Sequence, residues 1–193
     1  GEDPTPTMDE RSVVTVFCTN AGRTLLLRRS EAVDTYPGRW AAVSGHVEET
    51  PEATARRELR EETGLDGDRR TLWRRGEPFE VADDDRGIRF TVHPFRFETP
   101  TRDVDPNWET DDLAWVHPSA IHERDTVPDL WGSWDAVRPT VDTVAADEEH
   151  GAATISIEAL SVLRDEAVLL ADGGATWDAI ADVAERLRRA RES

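Results

Sequence analysis

Residues 45–65, GHVEETPEATARRELREETGL, hold the clearest structural signal in this 193-residue chain. Thr50 is a good helix N-cap, and Pro51 suits the first helical position because its fixed φ fits a helix and its missing N–H is not needed there. Gly64 provides a C-terminal stop. The sequence therefore predicts a helix over residues 51–63.

The predicted helix concentrates negative charge on one face. At 100° per residue, Glu58, Glu61 and Glu62 fall within an arc of roughly 100°, while Arg56 and Arg60 point to the far side. Like charges three or four residues apart repel by roughly 0.2–0.5 kcal/mol per pair on an isolated helix. A salt-bridged, solvated helix is the plainer interpretation, but a face of this kind indicates that a cation belongs there.

The ligand chemistry of this face favours one or two divalent ions. Carboxylates are hard oxygen ligands, and the stretch holds no Cys and no paired His, so Mg²⁺ or Mn²⁺ is expected rather than zinc. Mg²⁺ keeps several waters and commonly shares its coordination with substrate phosphates. We therefore expect a metal–phosphate complex at this helix.

The charge balance limits the class of partner. The chain has 41 Asp and Glu against 23 basic residues, a net charge of −18, and every basic residue is Arg. An ordinary acidic protein would not explain the absence of Lys. The combination resembles proteins of salt-accumulating halophilic archaea, where concentrated salt screens self-repulsion. Such a surface argues against binding a nucleic-acid polymer, which requires a basic face.

Cysteine use and hydropathy indicate the compartment. Cys18 stands alone, so neither an internal disulfide nor a cysteine zinc cluster can form, and we expect a reducing cytoplasm. No run approaches the ~18 apolar residues of a membrane span, so we expect no membrane partner and no leader.

Strand and helix patterns predict an α/β fold with a mixed sheet, followed by a helical hairpin. Strands are expected in the ranges 11–19, 24–30, 40–47, 70–76, 77–83, 88–98 and 113–118. A phase slip at His93–Pro94 predicts a bulge or an edge-strand kink. The residues from 126 to 137 are expected to be irregular. The predicted domains are a loose lead-in over 1–10, an α/β domain over 11–145 and a helical hairpin over 146–193.

The 45–65 stretch resembles the signature box of the Nudix hydrolases, which reads G, five residues, E, seven residues, REUxEExGU. Residues 57–65, RELREETGL, fit its second half at every fixed position, and Glu49 lies eight residues before Arg57 as the box requires. The first half departs from the box, because Gly45 stands four residues before Glu49 instead of six and Ser44 replaces a glycine. The preceding YPGRW and the strand order also match the family, over about residues 11 to 145.

The resemblance implies a Nudix α/β/α sandwich that hydrolyses a nucleoside diphosphate linked to another moiety with Mg²⁺ or Mn²⁺. It implies that the metal ligands are Glu58, Glu61, Glu62 and the backbone carbonyl of Ser44. It also implies that one of these glutamates acts as base toward the attacking water, with Glu61 as our candidate. Arg57 is expected to pair with Glu49 and hold the loop against the helix.

Other candidate residues carry a weaker signal, and surface or core packing is the usual role of each type. A further ligand or base is expected among Glu98, Glu109 and Asp83 to Asp85. Phosphate contacts are expected among Arg28, Arg29 and Arg39. Stacking partners for a nucleobase are expected among Tyr36, Trp73, Phe79, Trp108 and Trp131. His46, His93 and His117 show no ligand spacing and are expected to be structural.

Residues 150–193 carry two apolar helical stripes, Ala152–Leu170 and Trp177–Leu187, joined near Gly173–Gly174. The segment resembles, less specifically, the N-terminal helices of the superfamily of initiation factor 2B subunits and ribose 1,5-bisphosphate isomerases. Beside the enzyme, this leaves a regulatory nucleotide- or sugar-phosphate-binding module as a second hypothesis. The stripes are expected to pack on the Nudix domain, on a second copy or on a downstream domain, and the segment to be dispensable for hydrolysis.

Overall fold

The computed structural model describes residues 7–172 and 177–190 and contains an eight-stranded mixed sheet with helices on both faces. The strands are β1 Asp9–Asn20, β2 Arg23–Arg29, β3 Trp40–Ala41, β4 Val43–His46, β5 Thr71–Arg75, β6 Phe79–Asp83, β7 Ile88–Glu98 and β8 Thr110–Val116. The helices are α1 Pro51–Thr63, α2 Leu130–Asp135, α3 Val141–Ala145, α4 Ala152–Asp172 and α5 Trp177–Ala190. Short 3₁₀ turns span Gly67–Arg69 and Pro118–Glu123. The predicted α/β sandwich is confirmed.

Strand β1 organises the sheet. It runs parallel to β7 in unbroken register from Asp9↔Ile88 to Thr19↔Glu98. Its other edge pairs antiparallel with β4 and, at its end, with β2. β2 in turn pairs with β3 and β8, while β5 and β6 share the outer edge of β7. The long parallel pair of β1 and β7 therefore forms the centre of the sheet, and the other strands pair with it directly or through β2.

Alternation along β1 builds a core on each face of the sheet. Val14, Val16 and Cys18 point to the α1 side, where they pack with Leu59 of the helix. Phe17 points to the opposite side and joins a second core. That second core consists of Phe17, Leu26, Ala42, Ile121, Leu130, Trp134 and Val137. The helix that carries the acidic face therefore lies on one side of the sheet, and α2 lies on the other.

Helix α1 has the predicted bounds. The Thr50 hydroxyl accepts a hydrogen bond from Ala53 N, Pro51 opens the helix, and Gly64 ends it in the left-handed conformation at φ 78°. Leu59 is fully buried against the sheet. The local end signals and the apolar anchor agree, which is why the sequence predicted this element accurately.

Several strand predictions need correction. β1 begins at Asp9, so two residues of the predicted 1–10 lead-in belong to the sheet; residues 1–6 lie outside the described part. The strand predicted over 40–47 is divided into β3 and β4, because its two halves pair with different strands.

The bulge predicted at His93–Pro94 is absent from β7, which is continuous against β1. The apolar phase slips there because β7 changes its outer neighbour from β6 to β5 and becomes buried on both faces from Pro94 to Phe97. The irregular stretch predicted over 126–137 contains the short helix α2.

The C-terminal helices form a third core with α3. It contains Val144, Ile155, Val162, Val183 and Leu187. The predicted joint at Gly173–Gly174 lies outside the described residues. Four residues of the predicted apolar stripes are instead exposed: Trp177, at 83%, and Ala152, Ala181 and Ala184.

The face of α4 that packs on the sheet domain is instead polar. Glu158, Ser161 and Asp165 are buried there. Within the described ranges, no helix combines the length and the apolar content needed to cross a bilayer.

Candidate functional site

The three predicted glutamates of α1 lie in different environments. Glu62 is only 5% exposed and points under the sheet edge. The Glu58 side chain is 14% exposed and lines a cleft, whereas the Glu61 side chain is 51% exposed and faces solvent. One helical face therefore yields one buried, one cleft-lining and one outward carboxylate.

Strand β4 brings the backbone onto these carboxylates. Ser44 N donates a hydrogen bond to Oε2 of Glu62 over 3.1 Å, so Ser44 lies beside the acidic face as the sequence predicted. Gly45 packs directly on Glu58: a Cβ at Gly45 would stand 2.5 Å from Oε1 of Glu58. Only glycine fits there without moving the carboxylate, which gives Gly45 a packing role that the box pattern alone did not reveal.

Glu109 joins the same acidic cluster from the turn just before β8. It lines the cleft with Glu58, and its negative charge raises the pKa values of both Glu58 and Glu62. Burial is the largest cause of each rise; Glu61 adds to the rise at Glu58, and Glu58 to the rise at Glu62. Glu109, a weak candidate from sequence, is therefore brought into the site by the fold.

Arg57 holds the loop through a different glutamate from the one expected. Its Nη1 donates to Oε2 of Glu48 over 2.8 Å, and its Nη2 and Nε lie 3.4 Å from Glu58 and 3.9 Å from Glu61. The predicted Arg57–Glu49 pair is wrong, and Glu49 is exposed. The loop is two residues shorter than the box, and Thr54 Oγ1 anchors it at Glu48 N, which directs Glu48 toward Arg57.

A cleft of about 410 Å³ opens beside this cluster. Its lining includes the carboxylates Glu48, Glu58 and Glu109 and the aromatic side chains Tyr36, Phe90 and Trp108. Apolar residues form much of its walls: Val13, Ala32, Val33, Val81, Val92, Val127, Pro128 and Leu130. The cleft therefore combines carboxylates with aromatic and aliphatic side chains, which fits a ligand that has both a charged and a flat apolar part.

Arg29 lines the cleft and hydrogen-bonds to Thr35, which lines it too. Its Nε and Nη2 donate to the carbonyl and hydroxyl oxygens of Thr35 over 2.8 and 3.1 Å. Burial lowers the pKa of Arg29, and the charges on Glu62 and Glu109 oppose that shift. Tyr36, the next residue, adopts a left-handed backbone at φ 51° and donates from its hydroxyl to Asp83 over 2.6 Å. These bonds fix the loop that lines the cleft.

The remaining weak candidates lie elsewhere. Arg28 pairs with Asp111 and Arg39 lies near Asp125, outside the cleft lining. Trp73 packs on His150, and Trp131 on His122. Glu98 accepts a hydrogen bond from Thr19, away from the acidic cluster. Besides Glu109, the weak candidates that line the cleft are Arg29, Tyr36 and Trp108.

The side chains fit a hydrated divalent ion better than a fully enclosed one. Across residues 7–172 and 177–190, no three carboxylate, His or Cys side chains already converge on a single metal position. Glu62 is nevertheless a buried carboxylate whose hydrogen bond from Ser44 N leaves most of its charge uncompensated. Hard oxygen donors around such a charge suit Mg²⁺ that retains waters and shares substrate phosphates.

Comparison with known proteins gives a consistent result. Residues 8–135 match the family model described as the NUDIX domain. The nucleoside triphosphatase NudI of Klebsiella pneumoniae (strain 342) is 32% identical over 130 residues, which cover 61% of this chain and 89% of that protein. The NudI of Escherichia coli O81 (strain ED1a) has the same identity and coverage.

Solved structures share the fold. The MutT protein from Methanosarcina mazei Go1 aligns with a TM-score of 0.54 at 23% identity, covering 68% of this chain and 94% of that one. A Nudix hydrolase from M. smegmatis, RenU, aligns with a TM-score of 0.52 at 23% identity, covering 66% and 82%.

Proposed function

The chain belongs to the Nudix family of hydrolases, and from that premise we propose that it cleaves a nucleoside diphosphate linked to a further group. In the simplest such substrate, a nucleoside triphosphate, the further group is phosphate. The nucleoside triphosphatase name of the two NudI relatives supports this choice. The bond broken is a pyrophosphate bond, with water as the attacking group.

The observation that carries the proposal is the mixed lining of the cleft. Glu58 and Glu109 line it together with the aromatic side chains Phe90 and Trp108, within a volume of about 410 Å³. A nucleobase gains from stacking on aromatic rings, and a polyphosphate with its cation gains from the carboxylates. A mononucleotide presents both chemistries in one molecule.

The residues of the acidic cluster have different proposed roles. Glu62 and Glu58 would hold Mg²⁺ or Mn²⁺, with the Ser44 backbone beside them, and Glu61 would reach the ion through water. When bound, the metal neutralises phosphate oxygens and lowers the cost of charge at the leaving group. Arg57 restrains Glu58 and the Glu48 loop.

Proton removal from the attacking water is assigned to a carboxylate that lines the cleft. Glu58 and Glu109 do so, whereas Glu61, the candidate from sequence, faces solvent. A general base must stand within hydrogen-bond reach of the proton that it takes. We therefore favour Glu109 as the base, which leaves Glu58 free as a ligand.

A product assay tests the proposal directly. Purified protein is incubated with Mg²⁺ and a panel of nucleoside triphosphates and nucleoside diphosphate esters, and both nucleotide and phosphate products are separated by ion chromatography. We expect metal-dependent cleavage of at least one nucleotide that Glu62→Gln abolishes. Absence of cleavage across the panel with both Mg²⁺ and Mn²⁺ would refute the proposed substrate class.

The cellular compartment and the regulatory-module hypothesis differ in the support that they have. A salt-rich, reducing cytoplasm remains our proposal, supported by the net charge of −18 and by the single buried Cys18. The regulatory module related to initiation factor 2B finds no support, because the family match ends at residue 135 and names no second family.

A further inference from the structure

One wall of the cleft depends on a very short helix. Leu130 and Ser133 of α2 line the cleft, yet α2 spans only six residues, Leu130–Asp135. A helix of this length is not stable by itself in water. Its position, and with it the shape of the cleft wall, must be set by what packs behind it.

Trp134 is the residue behind that wall. Its side chain is 1% exposed and packs edge-on against Phe17 with ring centroids 5.2 Å apart. Its Nε1 donates a hydrogen bond to Oδ2 of Asp165 over 3.0 Å. Asp165 is also 1% exposed and belongs to α4, in the C-terminal segment. The indole therefore links the cleft wall to a helix beyond the matched family domain.

Helix α4 is itself fastened to the central sheet. Nη1 and Nη2 of Arg96 in β7 donate to the carboxylate of Glu158, over 2.9 and 2.7 Å. The Arg96 guanidinium also lies over the Trp134 ring, 5.7 Å from its centroid. Asp165 thus has a fixed position relative to the sheet. A buried indole N–H without an acceptor is costly, and the Asp165 carboxyl supplies that acceptor.

We propose that Asp165 is a positioning residue for substrate binding, which makes the C-terminal segment a structural part of the cleft. The proposal rests on the proposed function of that cleft and contradicts our expectation that residues 150–193 are dispensable for hydrolysis. Because Glu58 and Glu62 belong to α1 and Glu109 directly precedes β8, a displaced α2 changes substrate affinity and leaves the chemical step intact.

The test separates KM from kcat. Asp165→Ala removes the acceptor, and we expect KM for the best nucleotide of the panel to rise about tenfold with kcat within about twofold of wild type. Asp165→Asn keeps an acceptor oxygen for Trp134 and should restore the wild-type KM. Asp182→Ala, at an exposed Asp of α5, is the matched control and should change neither constant.

A second variant decides the matter if Asp165→Ala does not fold. Trp134→Phe keeps an aromatic ring against Phe17 and removes the N–H donor, so KM should rise here as well. Affinity for a non-hydrolysable α,β-methylene nucleoside triphosphate, measured by calorimetry, should weaken in parallel.

Folded variants that bind and turn over like wild type would overturn the role of Asp165. A wild-type protein that neither binds the analogue nor cleaves any nucleotide would instead remove the proposed function on which this role rests.

Discussion

Arg57 donates a hydrogen bond to Glu48 over 2.8 Å, and Glu49, the residue nominated by the box spacing, stays exposed. The Glu48 side chain is 70% exposed, so solvent screens the pair and the pair contributes little to stability. Its importance lies in geometry, because the same guanidinium lies 3.4 Å from Oε1 of Glu58. One arginine therefore joins the loop to a carboxylate that lines the cleft.

The first prediction separates the two adjacent glutamates. Glu48→Gln should lower kcat several-fold because Arg57 loses its loop anchor, while Glu49→Gln should leave kcat near wild type. Arg57→Ala should lower kcat more than tenfold and should lower the free energy of unfolding slightly. Steady-state kinetics and urea unfolding measure these effects. An equal loss from Glu48→Gln and Glu49→Gln would mean that the box spacing, not this contact, identifies the partner.

The second prediction concerns the buried carboxylate. Glu62→Gln should reduce metal-dependent turnover by more than about 100-fold, because a ligand is lost. In metal-free protein the same change should raise the free energy of unfolding by about 1 kcal/mol, since it removes a buried charge repelled by Glu58 and Glu109. Turnover is assayed at saturating Mg²⁺ and stability in EDTA. Near wild-type turnover would exclude Glu62 from the metal site.

The third prediction uses the close approach of Gly45 to Glu58. A methyl group in Gly45→Ala would meet the end of a side chain, so Glu58 should move aside at little cost in stability. Metal affinity and kcat should each fall about tenfold. Gly151→Ala, where the added methyl group has open space, is the matched control. Unchanged metal affinity in folded Gly45→Ala would show that the position of Glu58 is not critical.

The sequence predicted α1 well because its signals are local. Thr50, Pro51 and Gly64 set the ends, and the spacing of the glutamates set their common face. The same spacing does not say which glutamate is buried, because that depends on how the helix sits on β4. Glu62 and Glu58 turn inward there and Glu61 outward.

Contacts that depend on the tertiary fold could not be predicted from the sequence in the same way. The choice between Glu48 and Glu49 depends on the path of a short loop. The polar positions Glu158 and Asp165 on α4 carry no local signal of burial, and they are buried because β7 and α2 supply Arg96 and the Trp134 N–H. A periodic polar stripe becomes an interface only when its partner is known.

The fourth prediction concerns salt. With a net charge of −18, unscreened repulsion should lower stability in dilute buffer, and salt should relieve it because the Debye length falls to about 3 Å at 1 M. The thermal midpoint should therefore rise as KCl increases from dilute to molar. Sucrose at matched water activity is the control for non-ionic effects. A midpoint that is flat or falling with KCl would contradict the halophilic interpretation.

The last prediction follows from the buried carboxyl of Asp165, whose pKa is raised by burial from 3.8 to about 6. Between these two values the folded protein holds a proton that the unfolded chain has released. The contribution of this group to stability is therefore full below about pH 4 and is lost as the pH rises to about 6, by up to about 3 kcal/mol.

Asp165→Asn removes this titration and keeps an acceptor for Trp134, so the variant should be more stable than wild type at pH 7. The difference between the two unfolding free energies, measured by urea denaturation from pH 4 to pH 7, isolates the group from the many other carboxylates. It should grow in favour of the variant up to about pH 6 and then level off. A difference that is independent of pH would mean that Asp165 titrates normally and that its burial beside Trp134 does not persist in solution.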